Sequence, residues 1–596
     1  MPVNPTYPGL YIEELPSSTH TITAAPTSVT VFIGYPHPLK TPTVNFRKPI
    51  ELFSFTDYET NFGGFFQSDV FAYDQSQGCF GDLANAVNQF FLNGGGIAWV
   101  VGLPPSLQPN KTLGNLTAIP ITGATLTLGP VTFMATEITD ANHQMQVTFS
   151  NPTTVQSSVP ASSSVSQPTD TLVDVLITYG PTLAAIQANI TVQSITESYR
   201  QVSLFTQYIN NNLNQLNPNY LFYKLGASSL VTVSPPPSNV LYPPLPPMGM
   251  TLFPMSLPLP SGLLLSPPIV LPGVPPVPAN APTAAPPEGG LIFNTGDFTA
   301  VLQADTALDK LSIFNLMVIP GVSDFAVLEA AVGFCERKLA FLIMDPPINA
   351  SADGTVPPNS TLIQDDFNGV GDTPISNSSP NSALYFPYLQ SSDPQSGQTI
   401  YIPPSATVAG IFASTDTSRG VWKAPAGLAT TLTNIIDVVP SGQMTDSRQG
   451  VLNQLGINCI RKFPSIPPVV WGARTSVAFN TAFAQWKYVP VRRMALFLEQ
   501  TLYLNLGWVV FEPNAEPLWT AIVTSIQAFM LGLYRQGAFQ GTTPSQAFQV
   551  KCDSSTTTQT DIDNGVVNIV VAFAPLKPAE FVIIQIAQLA GQTQTS

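Results

Sequence analysis

Residues 28–34 read Ser-Val-Thr-Val-Phe-Ile-Gly, a β-branched and apolar run closed by Gly34 and Pro36. That pattern predicts a strand. Residues 82–91 instead space Leu83, Ala86, Val87, Phe90 and Phe91 at helical intervals, which predicts a helix with one apolar face. Asn93 and the glycines 94–96 end it, and residues 97–101 make a short buried strand. The alternation resumes near Leu291. Residues 314–321 predict a strand, 325–337 a helix with Leu328, Ala331, Val332 and Cys335 inward, 339–347 a strand ended by proline, and 407–418 a helix. These stretches read as α/β.

Between them the pattern changes. Residues 103–230 are rich in Thr, Ser, Asn and Gln, with short alternating stretches such as 124–128, and predict an inserted, polar, largely β domain. Residues 227–287 hold no charge, and 19 of the 53 residues from 235 to 287 are proline. Proline lacks the amide donor and fixes φ, so helix interiors and central strands are excluded there. Extended chain resting in part on an apolar surface is expected, because Leu, Val, Met and Phe are interspersed.

The last quarter differs again. Residues 491–506 are apolar nearly all round and predict a buried helix. A second helix follows Asn514, which is expected to cap it, with Glu516 and Pro517 in the first turn. Leu518, Trp519, Ile522, Val523, Ile526, Phe529, Met530 and Leu533 keep helical spacing along it. Strands are expected at 548–552, 566–573 and 581–587. The apolar segments 9–15 and 581–586 stand between or after prolines. Each is a strand that pairs either within its own chain or with another.

Charge narrows the functional classes. Only 10% of the 596 residues are charged, and the net charge is −15. Phosphate neutralisation needs clustered Lys and Arg, so nucleic acid is excluded as an expected partner. Such a surface must be solvated by neutral polar groups or covered by protein. Residues 450–596 hold 9 basic and 7 acidic residues, a net +2, while every earlier quarter is acidic. The chain starts with no basic, apolar leader and offers no uninterrupted apolar run of about 18 residues. Synthesis in the cytoplasm, without a signal peptide and without membrane insertion, is expected.

Catalytic chemistry finds few residues. His20, His37 and His143 lie in different segments, and Cys79, Cys335, Cys459 and Cys552 form no CxxC pair. The cysteines are expected as buried small hydrophobes. Residues 561–565 resemble a calcium loop but have the wrong Gly spacing and no closing Glu, so a turn between strands is expected. The acidic loop 365–372 is expected to be solvated. Glu13 and Glu14 point to opposite sides of an extended segment. No catalytic, metal or cofactor residue is assigned.

Several ordered motifs resemble the contractile tail sheath proteins of phage tails and bacterial contractile injection systems. They begin with Pro8-Gly9-Leu10-Tyr11-Ile12-Glu13-Glu14, residues 27–34 and Asn93-Gly94-Gly95-Gly96. Val318-Ile319-Pro320-Gly321, Cys335-Glu336-Arg337, Ile343-Met344-Asp345-Pro346-Pro347, Pro403-Pro404-Ser405, Val408-Ala409-Gly410 and residues 419–425 continue them. The C-terminal motifs are residues 455–461, Val470-Trp471-Gly472-Ala473-Arg474-Thr475, residues 488–493, Trp508-Val509-Val510-Phe511-Glu512-Pro513-Asn514, Leu518-Trp519, residues 536–541 and residues 550–553. The resemblance covers roughly 1–102 and 291–596, and not 103–290.

It implies a multidomain α/β (α+β) organisation. Residues 1–20 would be an N-terminal arm, 21–102 with 291–445 an outer α/β domain, and 103–290 an outermost insertion with its Pro-rich segment 235–287. Residues 446–575 would be an inner, tube-facing domain and 576–596 a C-terminal arm. It also implies hexameric rings of self-assembled subunits, stacked helically around an inner tube protein. Baseplate, cap or terminator proteins and sheath paralogues would be further partners, within a particle that is assembled extended and contracts. Leu10, Tyr11, Ile12 and Glu13, with Phe581, Val582, Ile583 and Ile584, would exchange strands between subunits. Arg535 is the expected tube-facing residue. Trp471, Arg474, Arg492, Arg493 and Glu512 are inner-domain motif residues, and Arg492 and Arg493 are expected to pair with acids within the inner domain rather than with the tube. A receptor-binding or adhesive module on 103–290 is the alternative function, and an enzyme is third.

Overall fold

The computed structural model describes residues 20–65, 83–104, 106–107, 119–120, 123–128, 131–137, 139, 143–155, 170–187, 194–203, 219–234, 249–253, 294–347, 379–392, 394, 399–438 and 444–585. Its centre is an eight-stranded sheet. In spatial order the strands are Ile50–Leu52, Ala98–Gly102, Thr30–Gly34, Leu316–Val318, Phe341–Met344, Ser382–Phe386, Ile457–Arg461 and Val469–Val470. The six central strands are parallel, and each edge strand is antiparallel to its neighbour. Residues 457–470, placed with the inner domain by the sequence reading, form the last two strands of this sheet.

Strand alternation sorts the side chains between two cores. Val31, Ile33, Met317, Leu342 and Met344 face the helices Thr295–Val301 and Phe325–Arg337. Phe32, Leu316, Val318, Phe341 and Ile343 face Leu83–Leu92 and Ser405–Arg419. A parallel sheet covered on both faces needs such continuously apolar strands. Asp324 caps the 325–337 helix through the Val327 amide at 3.0 Å. Asp345, just past the Phe341–Met344 strand, is buried and accepts from the amides of Gly321 at 2.9 Å and Ser405 at 2.7 Å. It ties a loop and a helix start at the carboxyl end of the sheet.

The insertion has its own core. A four-stranded antiparallel sheet runs Ile195–Ser203, Asp170–Pro181, His143–Val155 and Gly249–Leu252, beside a three-stranded one of Val231–Val233, Val131–Ala135 and Thr125–Leu128. Phe133, Met145, Val147, Phe149, Val175 and Ile177 fill the space between. The Pro-rich segment contributes the edge strand Gly249–Leu252, four residues without proline, whose amides can therefore join the ladder.

The C-terminal part is a helical hairpin, Val489–Asn505 and Glu516–Arg535, packed on a two-stranded sheet of Phe548–Lys551 and Val570–Phe573. Met494, Phe497, Trp519, Ile522, Ile526, Met530 and Leu533 form its core. The second helix is long and apolar enough by composition to cross a membrane, and that composition is accounted for by this core. The first helix is buried until Thr501 but leaves Tyr503 and Leu504 exposed. The 566–573 strand is shorter than expected, starting at Val570. Residues 559–563 are a short helix with a Thr558–Asp561 capping box, not a turn between strands. Cys335, Cys459 and Cys552 are free and buried, while Cys79 and the 365–372 loop lie outside the described residues.

Candidate functional site

The hairpin is held to the central sheet by its first helix. Arg493 forms a two-pronged ion pair with Asp416, at 2.9 and 2.6 Å, and also donates to the Thr27 carbonyl at 2.9 Å. Its guanidinium lies 4.8 Å from the Phe412 ring centre. The two charged side chains are 3% and 2% exposed. Two turns on, Gln500 accepts from Asn315 at 2.6 Å and donates to the Phe314 carbonyl at 2.8 Å. Arg492 donates to Asn381 at 2.7 Å and to Glu499 at 3.3 Å, with its guanidinium over Trp486. Arg492 therefore pairs with an acid of the inner domain, as expected, whereas the acid that Arg493 meets lies outside it, on the 405–419 helix. These partners offset the unfavourable placement of cations near a helix start.

The arms leave from opposite ends of the hairpin. Near its tip, Thr23 and Asn505 exchange hydrogen bonds of 2.9 and 2.8 Å, and Ala25 donates to Thr501 at 3.1 Å. His20 stacks on Trp508 with ring centres 3.9 Å apart. Leu10, Tyr11, Ile12 and Glu13 lie outside the described residues. At the other end Glu580 anchors the C-terminal segment. Arg474 donates to it twice, at 2.8 and 2.7 Å, Asn453 at 2.9 Å and Tyr488 at 3.2 Å. Burial pushes the Glu580 carboxyl up, but the Arg474 and Asn453 hydrogen bonds, the Arg474 charge and Tyr488 outweigh it and hold it below the usual range.

Beyond this anchor, residues 581–585 pair with no strand among the described residues. Phe581, Val582, Ile583 and Ile584 are 72–84% exposed. Single apolar side chains on a surface are ordinary, but four in succession on an unpaired segment invite a partner. Arg535 is exposed at the end of the second helix, where the dipole favours a cation. Trp471 is half-buried against Phe463. Glu512 is exposed beside Phe511.

Asn514 does not cap the second helix. Ala515 occupies that position, and Asn514 instead accepts from the Trp519 indole at 2.9 Å and donates to the Val566 carbonyl at 2.9 Å. It clasps the hairpin tip to the loop before the last strand. Glu580, Asp416 and Gln500 were not singled out from sequence. For Glu580, its place as the last acid of the chain, with Lys577 the only other charge after Asp563, was the available signal.

The insertion meets the α/β body at a buried charged cluster. Glu137 pairs with Lys40 and, at 3.2 Å, with His37 Nε2. His37 Nδ1 accepts from the Leu39 and Lys40 amides, both at 3.2 Å. Burial pushes the His37 pKa down despite Glu137, so the ring is neutral with its proton on Nε2. Among the described residues, no group of three or more His, Cys, Asp or Glu could hold a metal ion.

The covered parallel sheet and the helical hairpin are the parts of the chain that resemble tail sheath proteins. Residues 300–476 match the phage tail sheath protein central domain and residues 482–588 the phage tail sheath C-terminal domain. The chain thus carries matches to both tail sheath domains, in order, between residues 300 and 588. A prophage major tail sheath protein of Pseudomonas aeruginosa (strain UCBPP-PA14) is 26% identical over 283 residues, 46% of this chain and 65% of that relative's length. The sheath of an extracellular contractile injection system (PVC), in its contracted state, superposes with a TM-score of 0.52 and 20% identity over 98% of both chains. The contracted helical sheath of the anti-feeding prophage (AFP) gives 0.50 and 20%, over 98% of this chain and all of that one. At such identities these two likenesses establish the fold.

Proposed function

We propose that the chain is the structural subunit of a contractile sheath. It polymerises around an inner tube and contracts to drive that tube through a target envelope. The observation that carries this reading is the ordered pair of sheath domains, which together run from residue 300 to 588. Subunits form hexameric rings stacked helically, with baseplate and cap or terminator proteins at the ends. The energy of contraction comes from subunit contacts that are better in the contracted lattice, since a shift between two states requires differential stability.

Strand exchange joins neighbours through Leu10–Glu13 and Phe581–Ile584. The exposed, unpaired 581–585 segment and the rigid Glu580 anchor behind it support this role. An arm that hinges at a fixed root keeps its ladder through a large rigid-body motion. The hairpin faces the tube, and Arg535 contacts an acidic tube surface. The domain division follows the sequence reading except that residues 457–470 go with the central sheet, and the insertion is outermost.

Expression of the full chain, followed by negative-stain microscopy, tests the reading. Tubular polymers with sixfold rings are expected. A chain that stays monomeric at all concentrations refutes it. Deleting residues 1–15 is expected to leave a folded subunit that forms no sheath. Arg535→Glu is expected to impair tube loading while leaving sheath polymers intact.

A further inference from the structure

The two ends of the helical hairpin have opposite characters. At the tip, Phe511 is fully exposed, at 102% of its reference area, and Val510 beside it is 62% exposed. Phe511 holds φ at +73°, in the left-handed region that a bulky L residue rarely adopts. Strain of this kind persists where surrounding structure enforces it, and it gathers at functional sites. Glu512 follows, exposed and with no ion pair among the described residues. The tip therefore presents an aromatic knob with a carboxylate beside it.

At the other end lies a groove of about 1040 Å³. Trp422 and Trp471 supply aromatic walls, and Arg419, Lys423 and Lys577 supply charge. Three further charges in the lining are already matched: Arg461 and Asp446 with each other, and Glu580 with Arg474. Arg419, Lys423 and Lys577 have no ion pair among the described residues. Among the described residues, the Lys423 ammonium donates to the neighbouring Ala424 carbonyl, at 2.9 Å. Burial, and then the charge of Arg419, push the Lys423 pKa down, so an incoming carboxylate relieves both penalties.

The knob cannot reach the groove of its own chain. Tyr488, which lines the groove, immediately precedes the 17-residue first helix, and Gln536 and Gly537 follow the second. A helix of that length holds the two ends about 25 Å apart.

We propose that Phe511 and Glu512 of one copy seat in this groove of a second copy. The aromatic ring enters between Trp422 and Trp471, and the Glu512 carboxylate meets Lys423, Arg419 and Lys577. The contact is heterologous: one surface is used as a knob and a different one as a socket. Repeated, such a contact generates rings or open helical arrays rather than closed dimers. The inference rests on the reading of the chain as a polymerising subunit, and it assigns a lattice contact that borders the root of the C-terminal arm but is distinct from strand exchange.

The test uses the full chain and counts polymer by sedimentation and negative-stain microscopy. Phe511→Ala is expected to cut polymer yield by about tenfold or more, as for an aromatic hot spot. Its side chain is wholly outside the core, so its denaturation midpoint should match wild type. Glu512→Lys and Lys423→Glu should each reduce the yield, and the double variant should recover most of it. Wild-type yield from Phe511→Ala, or no recovery in the charge swap, overturns the inference and leaves the sheath reading standing. Wild-type yield with lost tube binding also overturns it, and assigns the knob to the tube. A wild-type chain that never polymerises overturns both.

Discussion

Two junctions fasten parts of this chain to its central sheet, and they are built on different physics. At the hairpin junction Arg493 and Asp416 are almost wholly buried, and Gln500 and Asn315 extend the polar chain. At the insertion junction Glu137 meets a neutral His37 and Lys40, and the lysine side chain is 22% exposed. Losing a partner at the first strands a charge in the core. Losing one at the second leaves a lysine that water can reach. The firmer junction joins the two regions that match sheath domains, and the lighter one holds the part that does not. In the proposed sheath, the motion of contraction passes between the first two regions.

The largest expected effect breaks the first junction. Asp416→Ala should destabilise the chain by about 3–5 kcal/mol, the usual cost of leaving one buried charge unpaired. Chemical denaturation measures it. Replacing both residues with apolar side chains of similar volume should recover much of the loss, because well-packed hydrophobic replacements of buried pairs are often neutral. A loss below about 1 kcal/mol, as for a surface pair, would put the two junctions on the same footing.

A smaller effect is expected at the arm root. Glu580→Gln removes a charged acceptor of four hydrogen bonds, and hydrogen bonds to charged groups contribute about 1.5–3 kcal/mol. The loss should be local, read as faster amide exchange or proteolysis at 576–585 with little change in global unfolding. The Glu580 pKa lies below its ordinary value in the folded chain. Its contribution is therefore full above the ordinary carboxylate value of about 4.3 and is lost as pH falls through the folded value. Slow exchange at 576–585 in Glu580→Gln would show that other contacts hold the root.

The α/β body was legible because its strands are continuous apolar runs and its helices keep strict spacing. Residues 325–337 form a helix with the expected bounds. The hairpin helices were legible for the same reason. What the sequence hid depends on tertiary partners. Asn514 is a good cap by residue type, yet its side chain is drawn to Trp519 and Val566, residues that no local rule connects to it. The capping box at Thr558 was read as a turn because five helical residues leave almost no periodicity. Arg493 was visible as a misplaced cation, but its partner lies 77 positions away inside an apolar helix. Glu137 and His37, 100 positions apart in a body and its insertion, gave no signal at all.

The smallest expected effect sharpens the comparison at the insertion. His37 has a pKa lowered by burial, with Glu137 and Lys40 as its charged neighbours and Nδ1 already accepting two amides. Folding therefore favours the neutral ring. The unfolded chain binds the extra proton as pH falls below about 6.5, so stability is full above that value and declines beneath it. Between pH 7.5 and 6 the loss should be about 0.8 kcal/mol if the folded ring stays neutral throughout. Unfolding of the insertion at the two pH values gives the slope. His37→Gln should flatten it, and the difference between the two chains isolates His37 from His20 and from the buried His143. Asp416→Ala should leave the slope intact, since the carboxylate it removes belongs to the other junction. An unchanged slope in His37→Gln would show that the insertion is fastened by something other than a neutral imidazole, and the contrast between the two junctions would lose its lighter half.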